Sequence, residues 1–363
     1  MTPAYPYEGL TVVEAVGGPP GNALRLAAAM AGRIFADLGA KVIQVEDHAL
    51  QGSEAKPSAT SLALQQFLSA RKSVVDSSLD DAFLTGVLRK ADVAIVDRHV
   101  HGSIAAKDLP KKVALLSLFG GSNAETEIAA TEFTIAALGG FLNMVGDAER
   151  EPLKLVGHQE AYALGLATFC GLSASLAREP SSDNAATIRA SLLDIVVWLN
   201  WKAVPLEADA PIPPGRAGAS AEWRIVRCAD GWIALVYQEP DWPHLCTMVK
   251  DERIRQDKFA TRQGRLENAV ELADVIEQAF LSRTRRQLHE EALSFRLPLG
   301  PVWAPEEALG DPHNAARRLF EELPRQRQSQ NPIFAPRLPL LWNGSAFSNM
   351  IGDMPVATAV GIS

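Results

Sequence analysis

The feature that most constrains the fold is an alternation of short β-branched runs with amphipathic stretches over roughly the first 120 residues. The runs are LTVVEAV, KVIQVE, DVAIVD and KKVALLSLFGG, and the segments between them carry apolar residues at helical spacing. Strands that alternate with helices are typical of parallel sheets built from βαβ units. We therefore expect an α/β fold with a doubly wound, Rossmann-like parallel sheet, whose ligands bind at the carboxyl ends of the strands.

The loop after the first strand does not match a dinucleotide fingerprint. Its sequence is GGPPG rather than GxGxxG, and its two prolines lack the backbone amides that would hold a pyrophosphate. A plain turn between strand and helix is the favoured interpretation, and a nicotinamide cofactor is not expected.

The pattern changes after a Pro/Gly/Ala stretch at residues 208–219. The segment ATIRASLLDIVVWLNW, just before it, predicts a strand followed by a helix from Ser191. Beyond it, WRIVRCADGWIALVY predicts a hairpin with an Asp-Gly turn, and helices follow. We predict a large α/β domain at residues 1–205, rejoined by the tail at 325–363, and a smaller α+β domain at 220–320. Pro/Gly-rich connections are expected near Pro211 to Gly218 and Pro324 to Pro339.

Composition excludes several classes of protein. The net charge of −8 argues against a nucleic-acid binder, which needs a basic face. No apolar run reaches about 18 residues and no signal-peptide pattern is present, so we expect neither a membrane span nor export. The three widely spaced cysteines form no CxxC pair, which argues against disulfides and a metal site. The sequence is typical of a cytoplasmic protein.

One segment, LVGHQEAYALGLATFCGLSASL from Leu155 to Leu176, is rich in small residues and polar only near its front. His158, Gln159 and Glu160 are those polar residues. The segment is either a tightly packed internal helix with a solvated first turn, or a helix whose start presents polar groups to a ligand. A cationic pair, Arg71 and Lys72, precedes another β-branched run; it is either a solvated pair or a phosphate site.

Several segments, in the right order, resemble the family III CoA-transferases of the CaiB/BaiF type. GRIFADLGAKVIQVE resembles the family's LADLGA-VIKVE element, SARKSVV its NRGKRSV element, and ADVAIVDRHVHG its ADVVVENFRPG element. CADGWIALV and LGPVWAPEEALGDPHNAARRLF resemble its second domain. The resemblance covers most of the chain.

The resemblance implies an interlinked homodimer, or a heterodimer with a related chain, that acts on an acyl-CoA and a carboxylic acid. Coenzyme A is then a substrate, and no tightly bound cofactor is implied. An aspartate at the start of the thin helix attacks the acyl-CoA carbonyl and forms a mixed anhydride, then an enzyme-bound CoA thioester. The resemblance places CoA contacts at Leu68, Arg71, Lys72, Asp97 and Arg98, although Asp97 and Arg98 replace an Asn-Phe pair of the family.

The sequence departs from the family at the nucleophile. The family aspartate lies four residues before the helix glycine, and counting back from Gly165 gives Ala161. Glu160 is adjacent and is our candidate catalytic acid, but one helical residue turns a side chain by about 100°. In the racemase branch the general-base histidine would fall near Thr131, where Glu132 is the nearest titratable group; His158 is an alternative base.

Three hypotheses remain open from the sequence. The chain is a CoA-transferase that uses Glu160 or another acid, or a racemase-like or lyase-like enzyme that uses Glu132 or His158, or a non-catalytic CoA-binding subunit that pairs with a catalytic relative.

Overall fold

The computed structural model describes residues 5–18, 21–46, 59–76, 82–120, 129–147, 149–178, 185–201, 222–323 and 332–347. The chain divides into two compact units. The first comprises Met1–Gly146, Pro152–Pro214 and Arg318–Ser363, and the second comprises Asp147–Glu151 and Gly215–Arg317. The predicted connection at Pro211 to Gly218 lies outside the described residues, as does the one at Pro324 to Pro339 up to residue 331.

In the described part of the first unit, six strands form one parallel sheet in the order β3-β2-β1-β4-β5-β6. They are β1 (Thr11–Ala15), β2 (Lys41–Glu46), β3 (Ser73–Asp76), β4 (Val93–Asp97), β5 (Lys112–Ser117) and β6 (Ala186–Ser191). The helices are α1 (Ala23–Asp37), α2 (Ala59–Ser69), α3 (Ala82–Arg89), α4 (Arg98–Ser103), α5 (Glu132–Leu138), α6 (Gln159–Ala177) and α7 (Leu192–Leu199). The strand order is that of the doubly wound fold, so the predicted α/β class is confirmed.

The small-residue segment forms helix α6, which packs along α1. At Gly165 a Cβ atom would lie 2.6 Å from the carbonyl oxygen of Ala27, so only glycine allows the two backbones to come this close. Ala161, Leu164 and Leu172 join the same apolar core. By length and composition α6 also meets the test for a membrane-spanning helix, a test that core helices of globular proteins meet as well.

The second unit is built on a three-stranded antiparallel sheet among its described residues. Its strands are β7 (Trp223–Cys228), β8 (Gly231–Val236) and β9 (Leu299–Pro301). Its helices are α8 (Trp242–Val249), α9 (Arg262–Glu267), α10 (Ala269–Phe280), α11 (Arg285–Phe295), α12 (Pro305–Gly310) and α13 (Pro312–Ala316). The predicted hairpin is confirmed: Cys228 pairs with Gly231, and the Asp230 carboxylate accepts a hydrogen bond from the backbone N–H of Arg285.

The C-terminal segment returns to the first unit. Strands β10 (Phe320–Glu322) and β11 (Phe334–Pro336) pair antiparallel, and β12 (Leu341–Trp342) pairs with β13 (Ser345–Ala346). Glu321 receives the guanidinium groups of Arg33, at 3.1 Å, and Arg71, at 2.8 Å. Both arginines also contact Asp37 of α1. This network of four charges fixes β10 against α1.

A second ion pair is sealed inside the first unit. Lys72 Nζ lies 2.6 Å from Glu14 Oε1 and donates a hydrogen bond to the carbonyl of Ala29. Burial raises the pKa of Glu14 and lowers the pKa of Lys72. At Gly32 a Cβ atom would lie 1.6 Å from the Glu14 carboxylate, so α1 needs glycine where it passes this pair.

Replacing Lys72 by Met should leave Glu14 buried without its cation. We expect the free energy of unfolding to fall by about 3 kcal/mol or more, measured by urea denaturation. The double variant Lys72→Met/Glu14→Met removes both charges and should recover most of that loss. A double variant no more stable than Lys72→Met would show that the charges do not act as a pair.

Candidate active site

Two of the polar residues at the front of α6, His158 and Glu160, lie beside the first residue of α5. Helix α5 begins at Glu132 after a capping box in which the hydroxyl groups of Thr131 and Thr134 each accept a hydrogen bond from the other residue's backbone N–H. The chain before α6 brings Lys154 and His158 to the same place. Two carboxylic acids, a lysine and a histidine thus form one cluster of Glu132, Lys154, His158 and Glu160.

Glu132 is held by two donors from the start of α6. Its Oε1 accepts a hydrogen bond from the backbone N–H of Ala161 at 3.0 Å, and its Oε2 lies 2.7 Å from Nδ1 of His158. The N-terminus of a helix favours negative charge, so this position suits a carboxylate. A carboxylate only accepts hydrogen bonds, so this contact requires a proton on Nδ1 of His158.

Glu160 has the opposite surroundings. Its side chain is fully buried, and among the described residues neither carboxyl oxygen has a hydrogen-bond partner. Burial raises the pKa of Glu160, and the nearby charge of Glu132 acts in the same direction. Lys154 Nζ lies 3.9 Å from Oε2 of each glutamate. The cluster therefore places a carboxyl group that has two hydrogen-bond partners beside an acid whose neutral form is favoured by burial.

Ala161, which the family resemblance places at the nucleophile position, is fully buried. Its methyl group supplies no chemistry. Its backbone N–H, however, is the group that binds the carboxylate of Glu132. The Glu132 carboxylate of α5 therefore contacts the backbone of Ala161, whose own side chain has no carboxylate.

The five residues predicted to contact CoA lie on α2, the chain after it and the start of α4. Leu68 is buried in α2, and Arg71 and Lys72 belong to the ion pairs described above. Asp97 caps α4 through Val100 N–H and accepts a 2.7 Å hydrogen bond from Gly17 N–H, which joins the ends of β1 and β4. Arg98 is exposed at the start of α4. The assignment of these residues to CoA stays a prediction.

Sequence reasoning missed Lys154. It is the single charged residue in the run LKLVG, and its ammonium group donates a hydrogen bond to the carbonyl of Gly157 at 2.8 Å. A lone lysine in an apolar run just before a polar helix start was the available signal. Across the part of the chain that the structure describes, no group of three or more His, Cys, Asp or Glu side chains could hold a metal ion.

The raised pKa of Glu160 has a consequence for stability. Above the ordinary pKa of a glutamate, about 4.3, the unfolded chain has released a proton that the folded chain still holds. Folding stability contributed by Glu160 is therefore present below that pH and is lost as the pH rises through the folded pKa.

Glu160→Gln removes this dependence, so the variant should be more stable than the wild type at pH 7. The difference should shrink as the pH falls through the folded-state pKa of Glu160 and should be gone by about pH 4.3. Thermal melting across the pH range measures it, with Gln159→Ala as a control on the exposed side of the same turn. A difference that does not change with pH would mean that Glu160 is ionised in the folded protein.

Comparisons with known proteins agree on one family. The profile of CoA-transferase family III matches residues 8–355. The chain is 25% identical over 370 residues to a succinate–glutarate CoA-transferase of Agrobacterium fabrum. That alignment covers 92% of this chain and 90% of the relative. It is 25% identical over 323 residues to a probable fatty acyl-CoA transferase, Rv3272, of Mycobacterium tuberculosis, with 78% of each chain covered.

Solved structures show the same fold at 20% sequence identity. A CaiB/BaiF family protein from Brucella suis superimposes with a TM-score of 0.79 over 95% of this chain and 94% of that one. Rv3272 in an orthorhombic crystal form superimposes with a TM-score of 0.73 over 95% of each chain. With a family profile that spans nearly its whole length, the chain belongs to CoA-transferase family III.

Proposed function

We propose that this chain transfers CoA from an acyl-CoA to a carboxylic acid and that Glu132 is the nucleophile. One observation carries the proposal: the Glu132 carboxylate lies on the backbone N–H of Ala161, the position where the family resemblance puts the attacking aspartate. Glu132 thus offers the same functional group at the same helix start, from a neighbouring helix.

The chemistry needs a carboxylate that is both nucleophile and leaving group. An oxygen of Glu132 attacks the thioester carbonyl, the carbon–sulfur bond breaks, and a mixed anhydride forms. The CoA sulfur then attacks the Glu132 carbonyl, which releases the donor acid and leaves CoA on the enzyme. The acceptor carboxylate repeats these two steps in reverse and departs as the new acyl-CoA. The backbone N–H at the α6 N-terminus and Nδ1 of His158 hold the Glu132 carboxylate in place for the first attack.

Glu160, the acid predicted from the sequence, remains a catalytic residue in this proposal. Burial raises its pKa and favours the neutral form, which is a poor nucleophile. Its place beside Glu132 suits a role in proton transfer.

The substrates follow from the family. The matched relatives are named for succinate and glutarate, for fatty acyl groups, and for formyl-CoA and oxalate, all of which are carboxylic acids or their thioesters. We propose a carboxylic acid and its CoA thioester here too, with CoA as substrate rather than resident cofactor and with the CoA contacts at Leu68, Arg71, Lys72, Asp97 and Arg98.

We also propose that the active form is a dimer. Helices α5, α6 and α7 expose large apolar side chains, among them Leu138, Leu166, Val197 and Trp198, the last 72% exposed. Apolar area of this kind is typical of a surface that a partner chain covers. Light scattering should give twice the chain mass of 39.1 kDa.

Hydroxylamine trapping tests the nucleophile. Wild-type protein incubated with acyl-CoA and hydroxylamine should lose activity as the acylated glutamate becomes a hydroxamate. Glu132→Gln should neither be acylated nor be inactivated, and transfer should fall by at least about 10⁴-fold, as for enzymes that lose their nucleophile. Gln159→Ala, next to the cluster on the exposed face, is the matched control and should behave as wild type.

Labelling that survives in Glu132→Gln but is lost in Glu160→Gln would identify Glu160 as the nucleophile. No labelling of any form would favour the non-catalytic CoA-binding subunit.

A second function is favoured by one contact. The 2.7 Å contact between His158 Nδ1 and Glu132 orients the ring and leaves Nε2, on a partly exposed side chain, as a general base. Such a base would exchange the proton α to a thioester carbonyl. Uptake of solvent deuterium at that carbon without CoA transfer, abolished by His158→Gln, would establish this function instead.

A further inference from the structure

The cluster contains an acid, Glu160, that the attack by Glu132 does not use. Glu160 is fully buried with no hydrogen-bond partner among the described residues, whereas Glu132 has two donors. Lys154 stands between them, 3.9 Å from an oxygen of each, and its side chain is 26% exposed. A buried acid is thus connected to the accessible side of the cluster through one ammonium group.

We propose that Glu160 and Lys154 form a proton relay that protonates the CoA sulfur as Glu132 is acylated. This inference rests on the proposed function. As the carbon–sulfur bond breaks, the electron pair leaves with sulfur. The Lys154 ammonium gives that sulfur a proton, and the Glu160 carboxyl group returns one to Lys154. The products are the mixed anhydride, neutral CoA thiol, a Lys154 ammonium and a Glu160 carboxylate.

Acylation itself drives the relay. Before the reaction the Glu132 carboxylate is one of the groups that raise the pKa of Glu160. The anhydride carries no charge, so Glu160 then faces the Lys154 cation without an opposing carboxylate. The other titratable groups at this point are His158, which contacts Glu132, and Tyr162, whose raised pKa, caused by burial, keeps it neutral. The charge of the cluster is therefore the same before and after the step.

The relay meets a chemical need of the reaction. An ordinary alkyl thiol has a pKa of about 8.5, so its thiolate is an unstable leaving group at neutral pH compared with the carboxylate that displaces it. A positioned proton donor typically accelerates such a step by about 10²–10⁴-fold. When CoA returns to attack the anhydride, the same groups take the proton back, so that the thiolate forms at the enzyme.

Leaving-group dependence tests the relay on the full-length protein. Acetyl-, hexanoyl- and succinyl-CoA are compared, and the one that acylates the wild type fastest is paired with the S-phenyl thioester of the same acid. Thiophenolate is a stable leaving group that needs no proton. We expect Glu160→Gln and Lys154→Met each to slow acylation by the CoA thioester by about 10²-fold, and by the phenyl thioester by less than about threefold.

Gln159→Ala is the control and should slow neither reaction. Melting curves check that each variant is folded. If Glu160→Gln does not fold, Lys154→Met, whose substitution lies in the chain before α6, still tests the relay. Equal loss with both thioesters in folded variants, or no loss with either, would overturn the relay. Absence of acylation in the wild type with all three CoA thioesters would instead overturn the proposed function.

Discussion

The hydrogen bond from the backbone N–H of Ala161 to the Glu132 carboxylate is the contact on which the site depends. The bond forms because the first residues of α5 and α6 lie next to each other. Helix α6 is in turn positioned by its packing on α1, where Gly165 allows the close approach to Ala27. The thin helix is therefore both a packing element and the anion-binding end of the site. The structure bears out tight packing of this helix, and the binding of a ligand at its start stays a prediction.

The sequence predicts the architecture well because each strand and helix of the sheet has a recognisable local sequence pattern. Buried β-branched runs separated by amphipathic stretches favour parallel strands, and Ser191 marks the end of β6 and the cap of α7 as expected. The contact between Glu132 and His158 could not be predicted in this way, because the two residues are 26 positions apart and stand at the starts of different helices. The differing surroundings of Glu132 and Glu160 likewise follow from tertiary packing alone.

Arg71 and Lys72 show why a residue type does not fix a role. Both cations precede a strand, as a phosphate site would require, but in the folded chain Arg71 binds Asp37 and Glu321, and Lys72 binds Glu14. The bonds of Arg71 join β10 to α1, and the Lys72–Glu14 pair is buried beside Gly32. Any contact of these two residues with CoA phosphates would have to exchange with carboxylates that already neutralise them.

The central claim is that the covalent intermediate forms on α5 rather than on α6. Borohydride reduction during turnover converts an enzyme-bound CoA thioester into an alcohol, and peptide mass spectrometry locates it. We expect the alcohol at Glu132, in the peptide that contains α5, with the α6 peptide unmodified. An alcohol at Glu160, or at no glutamate while transfer proceeds, would contradict it.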